Sequence, residues 1–208
     1  METLEKLFGG TARVKIIRLF LFNPYTGFEN KDIVLRSKVS SSQVRKEVAL
    51  LSKIGLIKKK SFFKEFSKKM GKKDKQVKRK KVIGWFVDEA FPLMGSLKDL
   101  VTEVGPLNKE SMIKKFGHGG RMKLVLLAGV FINKNDSSRV DILIVGDKLK
   151  RRVIENGIKV LESEIGKELN YAILETKEFI YRISIYDKFI RDILDYPNEK
   201  ILNKIGAI

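Results

Sequence analysis

The sequence predicts an α/β (α+β) protein of two domains, an N-terminal helical one closed by two strands and a C-terminal one built on a small mixed sheet. Three observations predict it. A chain of 208 residues can bury two modest cores. Its first third shows helical periodicity punctuated by caps and then runs into a long basic segment of strand character. After the break Gly117-His118-Gly119-Gly120, short apolar runs read as buried strands alternate with helices.

The elements follow in order. Thr11 to Phe22 carries Val14, Ile16, Ile17, Leu19, Phe20, Leu21 and Phe22, a central core helix stopped by Asn23-Pro24, because proline disfavours a helical residue before it. Asn30 is expected to cap a short helix that buries Ile33, Val34 and Leu35 and ends near Ser37. Ser40 caps a third helix. Val44, Val48 and Leu51 recur at i, i+4 and i+7 and face the core, which leaves Ser41, Ser42, Gln43, Arg45 and Lys46 outside at the N-terminal end. Gly55 stops this helix, and an extended segment begins at Leu56-Ile57-Lys58.

Charge is concentrated just there. The chain has 43 Lys and Arg against 25 Asp and Glu, a net charge of +18. Residues 58–81 hold thirteen of the basic residues and only Glu65 and Asp74. A segment of this density neutralises phosphates and releases counterions, giving affinity for nucleic acid without reading its sequence. Zero Cys and a single His, His118, remove thiolate metal sites, cysteine nucleophiles and any site needing two imidazoles, so no metal or cofactor is expected. His118 is read as an exposed loop residue, and the glycines around it lack the Gly-Lys-Ser/Thr ending of a phosphate loop. The longest apolar stretch, Leu124 to Ile132, is too short for a bilayer span, and the expectation is a cytoplasmic protein with no membrane partner.

Helix, helix, turn, helix and a strand entering a basic hairpin is the order of a winged helix-turn-helix domain, and "SSSQVRKEVALLSKIGLIKKK" resembles the recognition helix and first wing strand of winged-helix transcription regulators. The resemblance covers about residues 10 to 90. It implies a DNA-binding domain at 1–90 whose wing, returning through Lys81 to Val87, lies along the DNA backbone or in the minor groove; Lys64 to Lys80 are expected to be flexible in isolation. Phe62, Phe63 and Phe66, interleaved with lysines, either stack on unpaired bases or pack the wing onto the helices, and packing is the expectation; Trp85 is read as core.

Residues 91–119 read as a helical linker. Beyond it come a buried strand at Lys123 to Ile132, a polar loop, a second strand at Arg139 to Asp147, and an amphipathic helix with Val153, Ile154, Ile158, Leu161 and Ile165 on one face. A short strand, Tyr171 to Leu174, is followed by helices starting near Thr176 and Tyr186. Phe179, Ile183, Phe189 and Leu194, together with Tyr181, Tyr186 and Tyr196, are read as core.

"SSRVDILIVGD" and the helical sequence after it resemble the minimal nucleotidyltransferase domain of the polymerase-beta-like superfamily, over about residues 120 to 206 of a domain at 120–208. The resemblance implies a Gly-Ser pair at the triphosphate and two carboxylates, two residues apart on one strand, clamping paired magnesium ions. Here Gly129 matches the glycine, but Val130 stands at the serine. Asp141 matches the second carboxylate, but Arg139 stands at the first. A guanidinium in place of a carboxylate repels magnesium. Neither Asp136 nor Asp147 restores the pair, so the resemblance implies a degenerate, catalytically inactive domain, a pseudoenzyme.

Together these readings give a DNA-binding transcription regulator that is not an enzyme. Ser41, Ser42, Gln43, Arg45 and Lys46 are the expected groove and adjacent phosphate contacts, and Lys58, Lys59, Lys60, Lys78, Arg79, Lys80 and Lys81 the backbone-neutralising set. The degenerate domain would serve dimerisation on two-fold half-sites or ligand sensing. Two alternatives remain open at this level, a magnesium-dependent nucleotidyltransferase and an RNA-binding, ribosome-associated factor, since phosphate neutralisation looks alike for both polymers.

Overall fold

The structure, a computed structural model, describes residues 2–70, 74–102, 109–132 and 140–206. It is of mixed α and β class and divides into two compact units, residues 1–102 with 163–167, and residues 103–162 with 168–208.

In the first unit, α1 (Glu2–Leu7) precedes α2 (Thr11–Leu21), α3 (Asn30–Ser37) and α4 (Ser41–Lys53). The sequence reading did not find α1, which is a turn and a half long with little apolar periodicity. Ile16, Phe20, Ile33, Val44, Val48 and Leu51 meet in one core. Phe20 and Phe28 pack edge to face with ring centroids 5.6 Å apart. Two expectations for α3 need correction. Its cap is Glu29, not Asn30, in a reciprocal capping box with Asp32. Leu35 faces solvent, because the helix is too short to bury more than the stripe through Ile33 and Ser37. The core helix α2 also buries a charge, Arg18, whose Nε donates to the carbonyl of Val101 at 2.9 Å.

Strands β1 (Ile57–Met70) and β2 (Asp74–Val87) form one antiparallel hairpin, with continuous register from Ile57 opposite Val87 to Met70 opposite Asp74. The expected flexible stretch from Lys64 to Lys80 is therefore laddered on both sides of residues 71–73. Alternating side chains put Lys64 on the same side as Lys60 and Phe62, where it reaches the carboxylates of α3. Phe28 bridges to Trp85 on the far side of β2, through N–H to carbonyl bonds of 3.0 and 2.9 Å. Helix α5 (Met94–Thr102) adds Val101 to the core of this unit. Residues 91–102 of the segment read as a linker thus belong to the first unit.

The second unit contains α6 (Lys109–Lys115), β3 (Arg121–Leu127), β4 (Ile142–Asp147), α7 (Arg151–Ile165, its last turn counted with the first unit), β5 (Tyr171–Glu175), α8 (Thr176–Ser184), α9 (Lys188–Asp195) and β6 (Glu199–Asn203). The sheet order is β5-β4-β3-β6, with β4 and β5 parallel and the other pairs antiparallel. Leu124, Leu126, Leu143 and Val145 pack with Phe179, Ile190 and Ile193. Strand β3 stops at Leu127, short of the expected Ile132, because Gly129 takes a positive φ of 52° and opens a 3-10 turn, Gly129–Phe131. In α7, Ile154, Ile158, Leu161 and Ile165 are buried as expected, but Val153 lies at the solvent side of the stripe. Tyr181, Tyr186 and Tyr196 are exposed, not core; Tyr186 has φ +55° in the turn after α8. Strand β6, unread in the sequence, is held by pairing with β3 and has half-buried and exposed side chains and no fully buried one.

Candidate nucleic-acid interface

Helix α4 is held by one side and offers the other. Ser40 caps it, its Oγ accepting the amide of Gln43 at 3.4 Å and donating to Gln43 Oε1 at 2.9 Å. On the core side, Glu47 is buried and accepts from Arg13 Nε of α2 at 2.7 Å, which ties the helix to α2 by charge as well as by Val44, Val48 and Leu51. Ser41, Ser42, Gln43, Arg45 and Lys46 are all exposed, as their spacing predicts. Arg45 bends back along the helix, its Nε 3.3 Å from the carbonyl of Ser41. This leaves short polar and cationic groups together on one turn.

The hairpin has two faces of different chemistry. In an antiparallel pair, directly opposed residues share a side, and that side alternates along the strand. One face carries Lys58, Lys60, Phe62, Lys64, Lys78, Lys80 and Phe86. Phe62 and Phe86 meet edge to face at 5.3 Å across Gly84, where a Cβ would lie 2.8 Å from the Phe62 ring and 2.7 Å from the carbonyl of Phe28. Lys60 stands 5.8 Å over the Phe86 ring. Lys64 reaches α3, its Nζ 2.6 Å from both oxygens of Asp32 and 3.1 Å from Glu29 Oε1. Burial opposes the Lys64 charge, but the bonds to Asp32 and Glu29 prevail and its pKa is raised. Glu29 is correspondingly lowered, by its bonds from Lys31 and Lys64.

The opposite face carries Ile57 and Val87, both buried, then Lys59 and Trp85, then Ile83, Phe63 and Lys81, then Glu65 and Arg79. Trp85 is half-buried and packs against the edge of the core: its Nε1 donates to Asn30 Oδ1 at 2.9 Å and Lys59 lies 5.7 Å over its ring. Of the aromatic residues expected to pack the hairpin, Phe62 does so; Phe63 is 69% exposed, and the side chain of Phe66 lies outside the described residues.

The seven cations nominated from sequence divide accordingly. Lys58 is paired with Asp88 at 2.5 Å, and that bond depresses the Asp88 carboxyl. Arg79 is paired with Glu65 at 2.7 Å on an exposed surface, where such a bond is weak and a phosphate can compete for it. Lys59, Lys60, Lys78, Lys80 and Lys81 are exposed on both faces. Sequence reading missed the roles of Lys64 and Glu47, although the period-two alternation through "KKKSFFKE" separates the faces on which Phe62 and Phe63 lie.

In the second unit, Asp141 is 2% exposed just before β4. Its Oδ1 accepts the amide of Val130 at 3.0 Å and its Oδ2 the amide of Asn170 at 2.8 Å. The carboxylate therefore fastens the turn after β3 and the entry to β5 onto β4. Gly129 opens that turn and is buried. Arg139 and Asp136 lie outside the described residues. The glycines flanking the exposed His118 serve packing: a Cβ on Gly119 would meet Ile154 at 2.7 Å, and one on Gly120 the carbonyl of Lys148 at 2.6 Å.

Comparison with known proteins gives no match. No family model, curated protein or solved structure aligns with the chain. Among the described residues no helix is long and apolar enough to cross a membrane.

Proposed function

We propose that the chain is a DNA-binding transcription regulator whose first unit is a winged helix, with α4 as the groove-reading helix and the β1-β2 hairpin as its wing. The observation that carries this reading is the pairing, in one unit, of a helix turned out by its polar end with a hairpin that presents lysines on both faces. Ser41, Ser42, Gln43, Arg45 and Lys46 supply donors and acceptors of the length that reaches base edges and adjacent phosphates. Fourteen residues of strand span about 45 Å at about 3.3 Å per residue, more than the roughly 34 Å of one turn of duplex. Such a hairpin can follow phosphates along a full turn, and the salt dependence of binding should report it.

The second unit fits a non-catalytic role in dimerisation or ligand sensing. What favours this over a magnesium-dependent transferase is the engagement of Asp141, whose two oxygens are already committed to backbone amides. The test is selection of bound sequences from a random duplex library at physiological salt with a structured RNA competitor. A defined motif supports the regulator, and two-fold symmetry in it supports a dimer. Binding without enrichment that the RNA competes away replaces this reading with an RNA-associated one. Incorporation of labelled nucleotide with magnesium replaces it with the transferase.

A further inference from the structure

The apolar stripe on one face of the hairpin begins as core and ends in solvent. Ile57 and Val87 at its base are 1% and 4% exposed, Trp85 is half-buried, and the next two cross-strand pairs outward on this face bring Ile83 at 62% and Phe63 at 69%. These two do not serve the fold as Phe62 and Phe86 do on the other face, where the rings pack on each other. Their neighbours are mostly cationic: Phe63 is directly opposite Lys81, Lys59 and Arg79 lie on the same face, and Glu65 on that face is paired with Arg79. Phe63 and Ile83 form a diagonal cross-strand pair, and such pairs stand about 7 to 8 Å apart. That is about twice the 3.4 Å rise between stacked bases, so one base can sit between an aromatic ring and a branched aliphatic chain.

We propose that this face of the hairpin binds unpaired nucleotides of a nucleic-acid strand, a base stacked against Phe63 and Ile83 and the phosphates on Lys59, Lys81 and Arg79. A protein partner is disfavoured by the chemistry, because a stripe this narrow among mostly cationic side chains suits an anionic ligand with flat apolar rings. A fully paired duplex keeps its base faces covered. Arg79 is held by Glu65 at an exposed surface and exchanges that carboxylate for a phosphate at little cost. The proposal rests on the nucleic-acid reading of the hairpin above, but not on α4 or on duplex recognition. It gives the hairpin a use wherever a strand is opened.

Trp85, the single tryptophan of the chain, lies on this same face and reports on it. The full-length protein is titrated with a labelled oligothymidylate and a labelled oligouridylate, each of about 20 nucleotides, longer than the roughly 4 to 16 of a single-strand site, and with a blunt mixed-sequence duplex. Expected are a change in Trp85 emission with a single strand and a loss of single-strand affinity of about tenfold in Phe63→Ala and again in Ile83→Ser. Duplex affinity should stay within about twofold in both variants. Lys80→Ala, on the other face, should weaken all probes alike. An oligodeoxyuridylate titrated beside them separates the 2′-hydroxyl from the thymine methyl as the source of any preference. Because both residues are exposed, thermal melting of the variants should overlay the parent; if one does not, the other and the Trp85 signal of the unaltered chain decide. Unchanged Trp85 emission, or loss in Phe63→Ala that is equal for duplex and single strand, overturns the proposal. Phe63-dependent single-strand binding without any selected duplex motif removes the regulator reading and keeps this one, and a duplex motif with Phe63-independent single-strand binding does the reverse.

Discussion

Asp141 holds the amide of Val130 at 3.0 Å through its own carboxylate, and with its second oxygen holds Asn170 at 2.8 Å. A buried carboxylate bonded in this way is a fastener between three backbone segments. Asp141→Ala strands two amides and should destabilise the chain by about 3 kcal/mol in denaturant unfolding, within the 1 to 3 kcal/mol expected for each orphaned group. Asp141→Asn should lose less, since its amide oxygen still accepts one of the two bonds. A variant as stable as the parent would remove the structural role assigned to this residue.

On the exposed turn of α4, Arg45→Ala should relax base preference in competition between related duplexes. On the wing, Lys80→Ala should weaken every duplex equally and flatten the slope of log affinity against log salt by about one unit. If the two substitutions behaved alike, the division between base-reading helix and phosphate-neutralising hairpin would fail.

Gly84→Ala tests the root of the hairpin. The added methyl meets the Phe28 carbonyl and the Phe62 ring, both under 3.0 Å, on the residue next to the Phe28 to Trp85 bridge. Overpacking of this kind costs about 1 to 3 kcal/mol. Thermal melting should fall and salt-dependent binding weaken together, because the same displacement tilts the cations beyond it.

Acid should loosen the molecule at three surface clasps. Glu29 is lowered by Lys31 and Lys64, Asp88 by Lys58, and Asp147 by Lys123, whose Nζ lies 2.8 Å from it. Each folded-state value lies below its unfolded one, so the stabilisation is complete above the ordinary carboxylate range and is lost as pH falls through the depressed values, from about pH 4 downward. Melting temperatures followed from pH 7 to pH 3 should be flat at first and then drop. In Lys64→Met the part due to Glu29 should shrink and the drop become shallower.

Much of the first unit was legible because its helices obey a single period. Val44, Val48 and Leu51 give the buried side of α4, and the exposed set follows by subtraction. The hairpin was harder. A lysine-rich run has low mean hydropathy whatever its conformation, so the strand signal in residues 64–80 lies only in parity, which sets Phe62 and Phe63 on opposite faces. Asn30 looked like a cap because asparagine favours that position, but the reciprocal pair of Glu29 and Asp32 satisfies two amides at once and wins. Arg18 and Glu47 sit at apolar positions of their helices, where hydrophobic counting passes over charges that find partners only in three dimensions. Strand β6 carries no apolar pattern of its own and depends on β3 for its bonds.

The ladder of β1 has a consequence for the protein's behaviour in concentrated solution. Among the described residues β1 pairs on one side, with β2, so its other side presents a long row of backbone donors and acceptors to which a second strand can add. Lysines along that edge keep two such hairpins apart by mutual repulsion. A polyanion that neutralises them lifts the repulsion, and the charges to which the proposed function gives a nucleic acid then cease to guard against edge-to-edge aggregation. The molecule is best kept at low salt when free, and its complexes should be the species in which fibrous association first appears.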